Sequence, residues 1–245
     1  MLKLQLLLSL IAVFAFVSCG TEESSEQNPK QNEGAEQASS LKKPSAYTST
    51  VWLIDNLENI GGNGLTVLGD PQVIDAPFGK ALFFDGVDDG VVIDAHPLEG
   101  AEIFTLEVLF RPDADGLTEQ RFFHLQEDGA ENRVLVETRL TGDGHWYLDT
   151  FIKSGETNST LKDEQYLHPV DEWYNATLVF DGVEMRHYVN GVLELSAKID
   201  AFTPPKAGKT SAGVRINQVH WFKGAIGKAR FTRAVLAPDE FMKLQ

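Results

Sequence analysis

His124, Tyr147 and Glu137 are the side chains in this sequence best suited to move a proton, and Glu107 and Asp149 add two further carboxyls. Arg111, Arg139 and Arg215, with Gln126 and Asn217, supply the cationic and amide groups that hold a carboxylate or sulfate. Two chemistries could use such a set. β-Elimination on an acidic polysaccharide needs a base near the C5 proton and positive or amide groups that neutralise the uronate; His124 with Tyr147 and the three arginines has the right types. Glycoside hydrolysis needs two carboxyls on one groove, and Glu107, Glu137 and Asp149 would have to converge from neighbouring strands. Binding without chemistry needs only the arginine forks, because planar guanidinium matches planar acid groups.

These residues sit on strands that alternate. In Phe104 to Arg111, Phe104, Leu106, Val108 and Phe110 point one way and Thr105, Glu107, Leu109 and Arg111 the other. From Gln120 to Gln126, Phe123 and Leu125 share a face opposite Gln120, Phe122, His124 and Gln126. Val134 and Val136 lie opposite Glu137 and Arg139, and Trp146, Leu148 and Ile152 lie opposite Tyr147, Asp149 and Phe151. The polar face carries no lysine, and none occurs between Lys80 and Lys153. Parity therefore predicts one concave groove lined by Glu107, Arg111, His124, Gln126, Glu137, Arg139, Tyr147, Asp149, Arg215 and Asn217. The same residues could instead pair across strands and face bulk water, each pair contributing little. Trp146, Trp173 and Trp221 sit within apolar patterns, which favours core packing over sugar stacking. His96, His145 and His168 lie beside Pro or Gly without the spacing of zinc ligands.

Around these strands the chain divides into three. Residues 1–18 read as an address: Lys3, then an apolar run from Leu4 to Val17, too short for a comfortable membrane span. The run ends in Phe16-Val17-Ser18-Cys19-Gly20, which resembles a bacterial lipoprotein signal with Cys19 as the lipid acceptor. That resemblance implies an outer-membrane protein whose only membrane contact is its lipid anchor. Cys19 is the one cysteine, so no intramolecular disulfide can form. Residues 19–47, rich in Glu, Gln, Ser, Asn and Lys, bury too little to offset ordering and read as a flexible tether. Residues 48–245 form the folded domain. A net charge of −15 argues against nucleic acid as a partner, since no basic stripe supplies the phosphate contacts. An acidic sugar remains compatible, because a local arginine cluster dominates within a Debye length.

Turn signals punctuate the domain. Leu82 to Asp85 and Val91 to Ile93 read as the strands of a hairpin, Asp181-Gly182 and Asn190-Gly191 as two later hairpin turns, and residues 213–217 as a strand carrying Arg215 and Asn217 on one face. Pro238 to Leu244 is the one helical candidate. The expected fold is all-β: two antiparallel sheets packed as a jelly-roll sandwich, with one short C-terminal helix.

The stretch from Gly79 to Val91 (GKALFFDGVDDGV), with Phe104-Thr-Leu-Glu-Val108, Tyr188-Val-Asn-Gly191, Gly224 to Phe231 and Leu236 to Phe241, resembles laminin-G-like domains of the concanavalin A-like lectin/glucanase superfamily. The resemblance covers nearly everything from Trp52 to Leu244 and implies the jelly roll more than any one activity. It also implies a structural calcium, for which Asp85, Asp88 and Asp89 are the candidates. Where the family usually offers an acidic pair on its closing strand, this chain has Gly227 and Lys228. Glu137-Thr138-Arg139 keeps only one acid of the glucanases' Glu-x-Asp-x-x-Glu strand. The reading is thus a surface lipoprotein that binds carbohydrate, an acidic polysaccharide above all, on a sheet face. A polysaccharide lyase or hydrolase on the same face is the alternative, and a protein-adhesion module the third; whether the chain is an enzyme stays open.

Overall fold

The computed structural model describes residues 47–244. The expected signal peptide, Cys19 and nearly all of the tether fall outside the described residues. Sixteen strands follow in order: β1 (Ser49–Leu53), β2 (Leu65–Leu68), β3 (Gln72–Ala76), β4 (Gly79–Asp85) and β5 (Gly90–Ile93). Next come β6 (Phe104–Pro112), β7 (Glu119–Glu127), β8 (Arg133–Leu140), β9 (His145–Ser154), β10 (Thr157–Lys162) and β11 (His168–Pro169). The last are β12 (Tyr174–Phe180), β13 (Glu184–Val189), β14 (Val192–Lys198), β15 (Gly208–Ala212) and β16 (Lys223–Thr232).

They form two antiparallel sheets of eight strands each. The first runs β14-β13-β12-β6-β16-β4-β3, with β1 also beside β16; the second runs β10-β9-β8-β7-β15-β5-β2, with β11 beside β9. Their inner faces make the core, as alternation on each strand requires. Phe104, Leu106, Val108 and Phe110 of β6 meet Leu125, Val136, Leu148 and Ile152 of the second sheet, all buried. Phe110 stacks on Phe122 at 4.1 Å between ring centres and touches Trp146, Tyr174 and Phe222 as well. The parity read for β6, β8 and β9 is the parity observed.

The Asn190-Gly191 turn between β13 and β14 shows why those two residues stand there. Both have positive φ, 51° and 83°, which gives the turn the twist its strands need and which Asn and Gly tolerate. The expected C-terminal helix is a single 3₁₀ turn, Pro238–Glu240.

Three expectations change. The strands expected to form a hairpin over Leu82 to Ile93 belong to different sheets: β4 pairs with β3 and β16, β5 with β2 and β15. The acidic turn between them is a corner that carries the chain across the sandwich. The strand expected at residues 213–217 lies earlier, at β15, and residues 213–222 are a loop. Phe122 joins Phe123 in the core because β7 carries a bulge between Arg121 and Phe123 that resets its alternation.

Candidate functional site on the second sheet

The outer face of the second sheet is built in cross-strand rows. Antiparallel register sets Arg121 opposite Glu137, Glu137 opposite Asp149, and Asp149 opposite Lys162. One row over, His124, Leu135, Phe151 and Thr160 stand side by side. On the other flank, Glu119 faces Arg139, which faces Tyr147. Side chains opposite each other on neighbouring strands have Cβ atoms about 5 Å apart, so these rows must interact. They surround a depression of about 180 Å³, into which Arg215 reaches from the loop after β15.

Arg139 grips Asp149: Nε donates to Oδ2 at 2.8 Å and Nη2 lies 2.6 Å from the same oxygen. It also pairs with Glu119 and stands 3.5 Å from Glu137 Oε2. Arg121 Nε is 3.0 Å from Glu137 Oε2 but misaligned, so neither atom is hydrogen-bonded. Burial, then the charge of Asp149 beside it, pushes the Glu137 carboxyl up to about 7. Burial raises Asp149 as well, against the pull of Arg139. The Arg133 guanidinium lies over Phe151, 4.9 Å from the ring centre, and pairs with Glu131.

His124 lies under the 213–222 loop, fully buried. Its Nδ1 accepts the Ile216 N–H at 3.1 Å. Burial, with the charges of Arg215 and Arg133, holds its pKa down at about 3. The imidazole is therefore neutral and its one lone pair is already engaged, which speaks against its expected role as a base.

Of the ten residues expected to share a groove, Glu137, Arg139, Asp149 and Arg215 line the depression. His124 lies beside it, in the row of Leu135 and Phe151. Tyr147 and Gln126 occupy the two ends of the same face, and Asn217 is exposed on the loop. Glu107 and Arg111 do not join them, because β6 is in the first sheet. Glu107 is buried on that sheet's opposite face, where it pairs with Arg230 and accepts the Met242 N–H at 2.5 Å and Asn175 Nδ2 at 3.3 Å. It pins the C-terminal segment. Arg111 is held by Asp113 at 2.7 Å and lies over half-buried Trp173. Arg121, Arg133, Leu135, Phe151, Thr160 and Lys162 are the lining residues the expectation left out. Lys162, which β10 sets opposite Asp149, puts a lysine on a face read as having none. Unbroken alternation places Arg121 in the core; the bulge after it turns it outward.

The acidic corner is engaged in its own turn. Asp85 Oδ1 accepts the backbone N–H of Val87, Asp88 and Asp89, and the two oxygens of Asp89 accept those of Asp70 and Asp85. Asp85, Asp88 and Asp89 bring one oxygen each within 4.8 Å of one another. Lys223, not an acid, is the register partner of Asp85 on the closing strand, and Gly227 and Lys228 lie further along it. The set fits a hydrogen-bonded corner rather than calcium coordination.

A family model described as Laminin_G_3, concanavalin A-like lectin/glucanases superfamily, matches residues 85–241. Among solved structures, the chain resembles domain 4 of AbnA, a GH43 extracellular arabinanase from Geobacillus stearothermophilus, in complex with arabinotriose. That likeness has a TM-score of 0.60 at 18% identity, over 79% of this chain and 96% of that one. It also resembles the botulinum neurotoxin serotype D binding domain, with a TM-score of 0.57 at 12% identity, over 78% of this chain and 50% of that one. The binding domain of Paraclostridial Mosquitocidal Protein 1 is similar to the same degree, with a TM-score of 0.55 at 12% identity, over 78% and 50%. The chain thus spans about half of the two toxin domains. At these identities the likeness is one of fold. No curated protein sequence matches the chain.

Proposed function

Because the chain belongs to the concanavalin A-like lectin/glucanase superfamily, we propose that it is a carbohydrate-binding module whose ligand lies on the outer face of the second sheet. The observation that carries this is a concentration of unsatisfied polar atoms. Among the described residues, eleven buried side-chain nitrogens and oxygens have no hydrogen-bond partner within the protein. Five belong to side chains that line the one depression on this face: Arg121 Nε, Arg133 Nε, Glu137 Oε2, Asp149 Oδ1 and Arg215 Nε. Buried polar atoms are normally paired, so side chains that keep unpaired atoms around one depression have hydrogen-bonding capacity to offer an added partner. The set mixes donors with acceptors, which suits a sugar, whose hydroxyls both give and accept. The arabinotriose complex of the arabinanase domain supports the same ligand class.

An acidic polysaccharide is the fuller form of this proposal, together with a lipid anchor at Cys19 and an outer-membrane location. A hydrolase on the same face is the second reading. What favours it is the Glu137 and Asp149 pair, side by side on β8 and β9, with one carboxyl raised to about 7.

Affinity electrophoresis through gels cast with individual polysaccharides tests the proposal. Retardation by at least one of them, absent in plain gel, is expected; mobility unchanged across the whole panel overturns it. Release of reducing ends from the retarding polymer would promote the second reading.

A further inference from the structure

Resting on that carbohydrate reading, we infer that Arg215 selects the ligand's acid group, seating a carboxylate or sulfate ester between its own guanidinium and those of Arg121 and Arg133. The ground is an inventory of charge. Arg111, Arg121, Arg133, Arg139, Arg186 and Arg230 each meet a carboxylate. Arg233 meets none but is exposed to water. Among the described residues Arg215 is the one arginine drawn in from full exposure that has no acidic partner, and its Nε is buried with no acceptor.

Its surroundings add to the imbalance. Burial, then the neighbouring charges of Arg133 and Arg121, hold its pKa below the usual arginine value. The carboxyls across the depression do not compensate it. Asp149 is gripped by Arg139, and Glu137, held at about 7, has lost much of its charge at neutral pH. Four guanidiniums and the Lys162 ammonium line one depression, and Arg139 is matched by Asp149. Arg215, Arg121 and Arg133 repel one another, and an incoming anion relieves that repulsion while accepting from their forks.

The backbone that carries Arg215 is also held in place. The loop closes on itself through Phe222 N–H to Gly213 O at 2.8 Å and Gln218 N–H to Arg215 O at 2.7 Å. It is tied to β7 by Gly213 N–H to Phe122 O at 3.0 Å and by Ile216 N–H to His124 Nδ1. Gly213 is required there: its φ is 83°, and a Cβ would stand 2.4 Å from the Phe84 ring. Val214, next to Arg215, is fully buried. Neutral His124 thus helps to fix the backbone that carries Arg215, and the loop has little freedom left to lose on binding.

The test uses the full chain and its Arg215→Ala, Arg215→Gln and Arg215→Lys variants on an array. The array holds polygalacturonate, alginate and dextran sulfate, beside carboxyl-reduced polygalacturonate and dextran as neutral counterparts. The parent is expected on at least one acidic polymer and not on its neutral counterpart, with retention falling as salt rises. Whether the carboxylate or the sulfate polymers retain it separates the two sources of charge. Arg215→Ala and Arg215→Gln should weaken retention on the order of tenfold or more, with Arg215→Lys between, and thermal unfolding should stay as in the parent. Equal retention on acidic and neutral polymers, or a folded Arg215→Gln that binds like the parent, overturns the selection and leaves the carbohydrate reading standing. Retention on no polymer overturns both.

Discussion

Glu137 and Asp149 stand opposite each other on β8 and β9, and a single nitrogen, Arg139 Nη2, lies 3.5 Å from one and 2.6 Å from the other. Two buried carboxyls so close cannot both ionise freely. The arginine chooses Asp149, and Glu137 keeps its proton into the neutral range.

That choice makes stability depend on pH through Glu137. The Glu137 carboxyl titrates near 7 when folded, against an ordinary value of 4.5. The folded state holds this proton more firmly, so the contribution is full below about 4.5 and is lost as pH rises through about 7. Glu137→Gln should therefore melt above the parent at pH 8, and the gap should close as pH falls to 5. A gap independent of pH across that range would show that Glu137 titrates normally.

Three histidines act the other way. Burial holds His96 at about 4 and His124 and His187 at about 3, against an ordinary 6.5. Each contributes stability that is present above 6.5 and lost as pH falls toward those folded values. Each contribution changes by about 1.4 kcal/mol per pH unit. Asp149, raised by burial from the lower ordinary value of 3.8, acts with Glu137 but mostly at more acidic pH. Between pH 6.5 and 5 the three histidines therefore dominate, and the parent's urea midpoint should fall as pH drops. A midpoint that rises instead would mean the imidazoles are not buried as described.

Phe110→Ala empties the place where Phe122, Trp146, Tyr174 and Phe222 meet. It should cost roughly 3–5 kcal/mol, as cavity creation at a buried aromatic does. Urea unfolding measures it, and an unchanged midpoint would mean the ring is not in the core.

Glu107→Ala separates the two outer faces. It leaves the Met242 N–H without its acceptor and Arg230 with only the Glu240 carbonyl in place of a carboxylate, a loss of roughly 3–5 kcal/mol for a broken buried pair. Polysaccharide retention, measured at a temperature where the variant is folded, should match the parent. A selective loss of retention would return Glu107 to the binding surface.

Cys19→Ala tests the proposed address. Lipid labelling should disappear and the protein should leave the membrane fraction or remain unprocessed; labelling like the parent would exclude Cys19 as the acceptor.

Much of this protein was legible in its sequence because alternation is local. The backbone pleat sends successive side chains to opposite faces whatever lies beyond, so the inward set of β6, β8 and β9 follows from composition at every second position. Turn chemistry is local too, and Asp181-Gly182 and Asn190-Gly191 join the strands their residues specify. Partnership between distant strands is not local. Glu107 and His124 have the same parity and similar neighbours, yet one pins the C-terminal segment on the first sheet and the other holds the Arg215 loop on the second. The acidic corner looked like a hairpin because nothing within Leu82 to Ile93 says that β4 will pair with β16 and β5 with β15. The bulge after Arg121 is likewise decided by fit: an extra residue lets both Phe122 and Phe123 enter the core and turns Arg121 outward beside Glu137. The sequence by itself determined which side chains each strand presents. Only tertiary packing decided which strands lie together, because that choice depends on burial and hydrogen bonding summed over segments far apart in the chain. The crowding of guanidiniums around Arg215, and the lifted carboxyl of Glu137, exist only once those segments have met.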